Sequence, residues 1–262
     1  MTRVIGVLSG KGGVGKTTTA INIGAALSSK YLKSVALVDC NITTPHVGLS
    51  LGVFHESFST LNDVLKGKKD IMDVIHPFSV GLSIIPASLS LDSLKGVNIR
   101  KLRSVIKKTL EDFDVVLLDA APGLGKEAVS AILASDEVIF VTTPYTVSIS
   151  DILRTKKVVE EAGKEMIGII VNMRHNKSYE LTPKEIENFT QIPVIGTINY
   201  DNEVLKSLAS KMPIVMMNEK SRTSQEFIRI AARLIGEEYS VKPRFLDRIL
   251  RIFSRQPEYS YV

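Results

Sequence analysis

The octapeptide Gly10-Lys11-Gly12-Gly13-Val14-Gly15-Lys16-Thr17 has the spacing G-x-x-x-x-G-K-[ST]. Glycines let a backbone curl until successive N–H groups point at one anion, and a helix starting just beyond adds partial positive charge. Lys16 has the reach to act as a point charge on the β- and γ-phosphates of a nucleotide, and the Thr17 hydroxyl is a ligand for Mg²⁺. The bare pattern also occurs by chance in glycine-rich turns. Here the apolar run Val4–Leu8 precedes it and helical spacing follows from Thr17, the setting that phosphate binding requires. Lys11 is the unusual member, since a lysine at the start of the loop is not needed to cradle a nucleotide.

Such a loop has to be held between a strand and a helix, and the rest of the chain repeats that alternation. Short β-branched, apolar runs occur at Arg3–Leu8, Ser34–Val38, Leu82–Ile85, Asp114–Leu118, Glu137–Thr142, Ile167–Val171 and Pro193–Ile198. Helical spacing predicts Thr17–Ser29, Arg100–Leu110, Lys126–Ala134, Ile149–Ala162, Asp201–Ala209 and Ser224–Ile235. Strands alternating with helices imply crossover units and a parallel sheet covered on both faces. Uninterrupted runs such as Val115-Val116-Leu117-Leu118 suit strands buried on both sides. The expectation is an α/β, three-layer P-loop NTPase fold with a mainly parallel seven- or eight-stranded sheet.

Composition sets the outer limits. The 262 residues are 44% hydrophobic and 23% charged, which suits one large core and excludes a disordered tail protein. One cysteine, Cys40, rules out an intrachain disulfide, a CxxC pair and a cysteine-built zinc or iron–sulfur site within one chain, and points to a reducing, intracellular setting. His46, His55, His76 and His175 lack metal-ligand spacing and read as surface or turn residues. No apolar run reaches the roughly 18–20 residues of a bilayer span, and Met1–Leu8 lacks the apolar stretch of a signal peptide. The net charge of +5 is unevenly placed: residues 242–262 hold five basic side chains against two acids, leaving +2 for the first 241. That low value argues against a nucleic-acid-coating body.

The variant Lys11-Gly12-Gly13-Val14-Gly15-Lys16-Thr17-Thr18 resembles the loop of the deviant Walker A ATPases of the SIMIBI class, the MinD/ParA family. The resemblance runs over residues 2–236 and is strongest toward its MinD branch. It implies that Lys11 crosses an ATP-bound homodimer to the partner's phosphates, comparable to an arginine finger. It further implies that Asp39, ending Val35–Asp39, lies in the first switch beside Mg²⁺, and that Asp119, before Ala120-Ala121-Pro122-Gly123, holds Mg²⁺ through water. The Gly123 amide would sense the γ-phosphate, and Asn172 in Val171-Asn172-Met173-Arg174 would read adenine. Read without the family, Asp39 or Asp119 could cap a helix, and Asn172 could sit in a turn. Two positions depart from the family pattern. Asn41 in Asp39-Cys40-Asn41 replaces the usual second aspartate, so it can orient a water but cannot accept its proton. Slow hydrolysis is the expectation. The adenine rim reads Ile198-Asn199-Tyr200-Asp201 where the family has Ile-Pro-Glu-Asp with the proline against the base, so the expected stacking differs and would use Tyr200.

In the tail, with Arg244 set at zero, Arg248, Arg251 and Arg255 all project within roughly 40° of it at about 100° per residue. Phe245, Leu246, Ile249, Leu250, Ile252 and Phe253 fill the arc from roughly 80° to roughly 240°. This is the pattern of a helix lying in a membrane interface, and the resemblance implies the same. Docking on the body, on a partner, or on nucleic acid are the other readings. The expected organisation is an ATPase domain at 1–236, a linker at 237–242, an amphipathic basic helix at 243–255 and a frayed end at 256–262. The expected function is an ATP- and Mg²⁺-dependent dimerisation switch on the inner face of the cell membrane, with an activating protein partner and without nucleic acid. A ParA-like DNA-partitioning or flagellar-number ATPase, and a nearly non-hydrolysing binding module, are the alternatives.

Overall fold

A computed structural model describes residues 2–54, 58–109, 112–237 and 239. The chain opens with β1 (Arg3–Leu8), α1 (Lys16–Tyr31) and β2 (Val35–Asp39), then two short helices, α2 (Val47–Leu51) and α3 (Leu61–Leu65). An edge hairpin of β3 (His76–Ser79) and β4 (Leu82–Ile85) precedes α4 (Leu102–Thr109), β5 (Val115–Asp119), α5 (Lys126–Ala134) and β6 (Glu137–Thr142). Next come α6 (Thr146–Glu161), β7 (Glu165–Arg174), α7 (Pro183–Thr190) and β8 (Val194–Asn199). The described chain finishes with α8 (Asn202–Ala209), α9 (Ile214–Met217) and α10 (Arg222–Leu234).

These form an 8-stranded sheet in the order β3-β4-β2-β5-β1-β6-β7-β8, parallel except for the β3–β4 pair. The loop-bearing β1 sits between β5 and β6, buried on both faces. Alternation sorts the strand residues. Val4 and Leu8, with Val116 and Leu118, pack toward Leu102, Ile106, Ile132 and Ile152 of α4, α5 and α6. Ile5 and Val7, with Val115 and Leu117, pack toward Ile23, Leu27, Phe227 and Ile228 of α1 and α10. The three-layer α/β sandwich expected from the alternation is the fold observed.

The differences are local. β3 is a half-buried edge strand containing Pro77, too short and polar to stand out in the sequence. β7 runs to Arg174 rather than Val171. Its register shifts after Val171, Met173 takes φ 54°, and Arg174 pairs with Asn199. α7 starts from a capping box, Thr182 with Glu185, and a first-turn Pro183, a signal that was present but unused. Among the described residues, no helix is long and apolar enough to cross a membrane. The expected helix at 243–255 and the end at 256–262 lie outside the described residues.

Candidate functional site

The loop at the end of β1 turns on two left-handed glycines. Gly13 and Gly15 have φ of 79° and 81°, left-handed values that side chains rarely adopt. Gly15 is also the N-cap of α1. No side chain caps that helix and its first turn holds no acid, so its first N–H groups keep their partial positive charge available. Gly15 has a second constraint, because an added Cβ would lie 2.2 Å from Asn172 Nδ2.

Two carboxylates stand at the foot of the loop. Asp39 and Asp119 end neighbouring strands, are paired in register and are fully buried. Asp119 Oδ1 meets Lys16 Nζ at 2.5 Å, and Thr17 Oγ1 donates to Asp119 Oδ2 at 2.6 Å. Asp39 accepts from three backbone N–H groups of the following segment: Asn41 at 3.1 Å, and His46 and Val47 at 2.9 Å each. Burial, and then the charge of Asp119, push the Asp39 carboxyl up to about 7 despite those donors and Lys16. Two buried acids facing one lysine form a site where added positive charge is favourable.

Above them lies a groove of about 260 Å³. Lys11, Gly12, Gly13, Val14, Gly15, Lys16, Thr17 and Thr18 form one side; Asn41, Thr44, His46, Ser50, Pro122 and Leu208 form much of the rest. Ser9, at its base, has a buried hydroxyl without a hydrogen-bond partner. The residues present fit a magnesium-bound nucleoside triphosphate. They offer an uncapped helix start, an orphaned hydroxyl, a buried lysine, and Thr17 beside Asp119. Among the described residues, no cluster of three or more His, Cys, Asp or Glu side chains could hold a metal alone.

The structure therefore brings together Gly10, Lys11, Lys16, Thr17, Thr18, Asp39, Asn41 and Asp119. Lys11 is half-buried at the mouth of the groove. Gly10 lies against α6, where an added Cβ would come within 2.3 Å of Asp151 Cβ. Asn41 is more engaged than the sequence suggests. Its Nδ2 donates to Thr44 O at 2.6 Å, and its Oδ1 accepts from Thr44 Oγ1 at 3.0 Å, closing the turn after β2. The Gly123 amide donates to Ser9 O at 2.9 Å.

The expected adenine side adjoins the loop through Asn172. Asn172 Nδ2 donates to Val14 O at 2.9 Å and so braces the loop. Asn199 Oδ1 accepts from Asn176 Nδ2 at 2.9 Å. Tyr200 stacks on His175, with ring centroids 4.8 Å apart and planes at 22°. Asp201 caps α8 through the Glu203 N–H at 2.9 Å and accepts from Thr223 Oγ1 at 2.7 Å. Sequence reasoning missed Ser9, Thr44 and His46 as groove residues. Their signal was proximity alone, to the loop or to Asn41.

Comparison with known proteins agrees with this geometry. The ParA family profile, described as NUBPL iron-transfer P-loop NTPase, matches residues 1–235. An uncharacterized ATP-binding protein of Methanocaldococcus jannaschii is 37% identical over 262 residues, covering 98% of each chain. The Pyrococcus furiosus cell division ATPase MinD superposes with a TM-score of 0.86 at 29% identity, covering 90% of this chain and 99% of that one. The septum site-determining protein MinD of Pyrococcus horikoshii, solved with Mg-ADP, gives 0.85 at 31% identity, covering 89% and 96%.

Proposed function

This chain belongs to the ParA family of P-loop NTPases, among the MinD/ParA ATPases, and on that premise we propose that it is a nucleotide-driven dimerisation switch of the MinD type. It is an ATPase that uses ATP and Mg²⁺. The observation that carries the switch reading is the contrast between two lysines of one loop. Lys16 is buried against Asp119, while Lys11 stands at the groove mouth with no ion-pair partner among the described residues.

In this reading Lys16 leaves Asp119 for the β- and γ-phosphates when ATP enters. Thr17, Asp39 and Asp119 would hold Mg²⁺. Bound Mg²⁺ supplies neutralisation of the charge that builds on the phosphates. Lys11 completes the partner's site across a homodimer. Asn41 steadies the first switch through Thr44 and orients water without taking its proton, so turnover is slow until a partner protein intervenes. Asn172, Asn199, Tyr200 and Asp201 form the adenine side, and the helix at 243–255 seats the dimer on the membrane, in spatial regulation such as division-site placement.

The iron-transfer part of the family's description has little to rest on here. These 262 residues hold one cysteine, Cys40, which is fully buried, and burial pushes its thiol well above the usual value.

Co-sedimentation with liposomes tests the proposal, using the full chain and a chain ending at residue 241, each with ADP and with ATP. Only the full chain with ATP is expected in the pellet. Equal pelleting of both chains, or of both nucleotide states, contradicts the reading.

A further inference from the structure

The body's modest charge conceals a strong segregation. Residues 61–109 carry nine lysines and arginines against four aspartates, whereas residues 110–241 carry 14 basic residues against 20 acids. The four aspartates of the basic segment are occupied locally. Asp63 accepts the Thr60 N–H, Asp70 that of Met72, and Asp73 that of Asp70, while Asp92 pairs with Lys95.

Arg100, Arg103 and Lys107 follow the spacing i, i+3, i+7 along the 3₁₀ turn Ile99–Lys101 and α4. All three are exposed, while Leu102, Val105 and Ile106 on the opposite side are buried. None of the three forms an ion pair with a described residue. Like charges at this spacing repel, so the stripe gains from an external anion.

The neighbouring surface is apolar in a particular way. Leu91 is 79% exposed and Met72 53%. The turn Leu91–Leu94 is tied to α3 by Asn62 Nδ2 donating to Ser93 Oγ at 3.1 Å. Beyond the C-terminal end of α3, a Cβ added at Gly67 would lie 3.7 Å from Lys101 Nζ, so these elements adjoin one another. A phosphate backbone has nothing for the exposed leucine and methionine; the boundary between lipid headgroups and acyl chains takes both the apolar and the cationic groups.

The face also reaches the rim from which the tail departs. Arg103 is near enough to Lys164, at the entrance to β7, that after burial its charge is the next cause lowering the Lys164 pKa. Glu165, Glu137 and Ile5 lie in one row across β7, β6 and β1, a span of about 10 Å. On the β1 side of that row, Arg3 Nη1 donates to Leu234 O, where α10 ends. Residues 237–242 have a reach of up to about 20 Å.

We propose that the α4 stripe of Arg100, Arg103 and Lys107, flanked by Met72 and Leu91, is a second membrane-docking surface that lays the body on anionic lipid beside the tail. It rests on the membrane reading above, but on different residues.

The test uses full-length protein with ATP and phosphatidylcholine vesicles, with and without phosphatidylglycerol. A basic residue near an anionic surface contributes about fivefold to partitioning, so removing three costs about 100-fold, and Arg100→Glu/Arg103→Glu/Lys107→Glu is expected to bind the anionic vesicles at least that much more weakly. The matching triple glutamine variant serves if charge reversal impairs folding, with a loss of about 100-fold expected. Binding equal to wild type overturns the proposal. A loss of duplex-DNA binding with vesicle binding unchanged also overturns it and assigns the stripe to nucleic acid. The tail reading is separated by Phe245→Glu/Phe253→Glu. If that variant binds as wild type while the stripe variant does not, the tail reading fails and the stripe stands. The reverse result removes the stripe and keeps the tail.

Discussion

Lys16 and Lys11 carry the same charge on one loop in opposite surroundings, and their alanine variants should fail differently. Lys16→Ala leaves Asp119 and Asp39 buried without their cation and removes the charge facing the phosphates. Tight ATP binding, measured by calorimetry, is expected to disappear. Lys11→Ala is expected to bind ATP almost as wild type. Asn41 presents a balance of two effects. Asn41→Asp supplies a carboxylate near the loop but sets it against the Thr44 carbonyl, where Nδ2 now donates at 2.6 Å. Losing that donor costs about 1–3 kcal/mol, a fall in Tm of several degrees at roughly 2–4 °C per kcal/mol. Positioned acid–base groups contribute about 10²–10⁴-fold, and phosphoryl transfer draws on the low end, so single-turnover hydrolysis is expected to rise about tenfold. A lowered Tm with an unchanged rate would confine Asn41 to closing the turn. Asn172 separates two roles in the same way. As a brace on Val14, Asn172→Ala weakens ATP and tripolyphosphate equally; as a reader of adenine, it weakens ATP alone.

At the scale of elements, the segment after β7 holds a buried carboxylate with a clear pH signature. Glu180 accepts the backbone N–H groups of His175, at 2.9 and 3.1 Å, and Lys177, at 3.2 Å. Burial raises its pKa, but those donors outweigh burial and hold it below the usual carboxylate value. A folded-state value below the unfolded one stabilises the protein above the ordinary carboxylate range, and that stabilisation is lost as pH falls through the folded value. The Tm advantage of wild type over Glu180→Gln should therefore shrink on acidification; a constant gap would rule the carboxylate out. This part of the molecule was also the hardest to read in the sequence. The central strands were legible because burial on both faces demands unbroken apolar runs, as in Val115–Leu118. The loop was legible because phosphate chemistry fixes glycine and lysine at set intervals. By contrast, the brace from Asn172 to Val14 spans 158 residues, and no local pattern encodes it. The Met173 kink, the Asp201 cap with its Thr223 partner, and the Asn41–Thr44 closure likewise depend on tertiary approach or short polar side chains that suit many turns.

For the molecule as a whole, the account depends on nucleotide changing the number of chains that act together. One tail helix gives weak, reversible attachment; two on one dimer add avidity without any new contact. The basic α4 face would multiply that attachment, but neither surface matters unless ATP joins two copies through Lys11. The most direct measurement is light scattering of the full chain with Mg²⁺ and ATP, with Mg²⁺ and ADP, and of Lys11→Ala with ATP. The predicted result is a mass near twice the monomer's 28.8 kDa for wild type with ATP, and the monomer mass in the other two cases. A Lys11→Ala protein that still doubles its mass with ATP, or a wild type that stays monomeric with it, would contradict the switch.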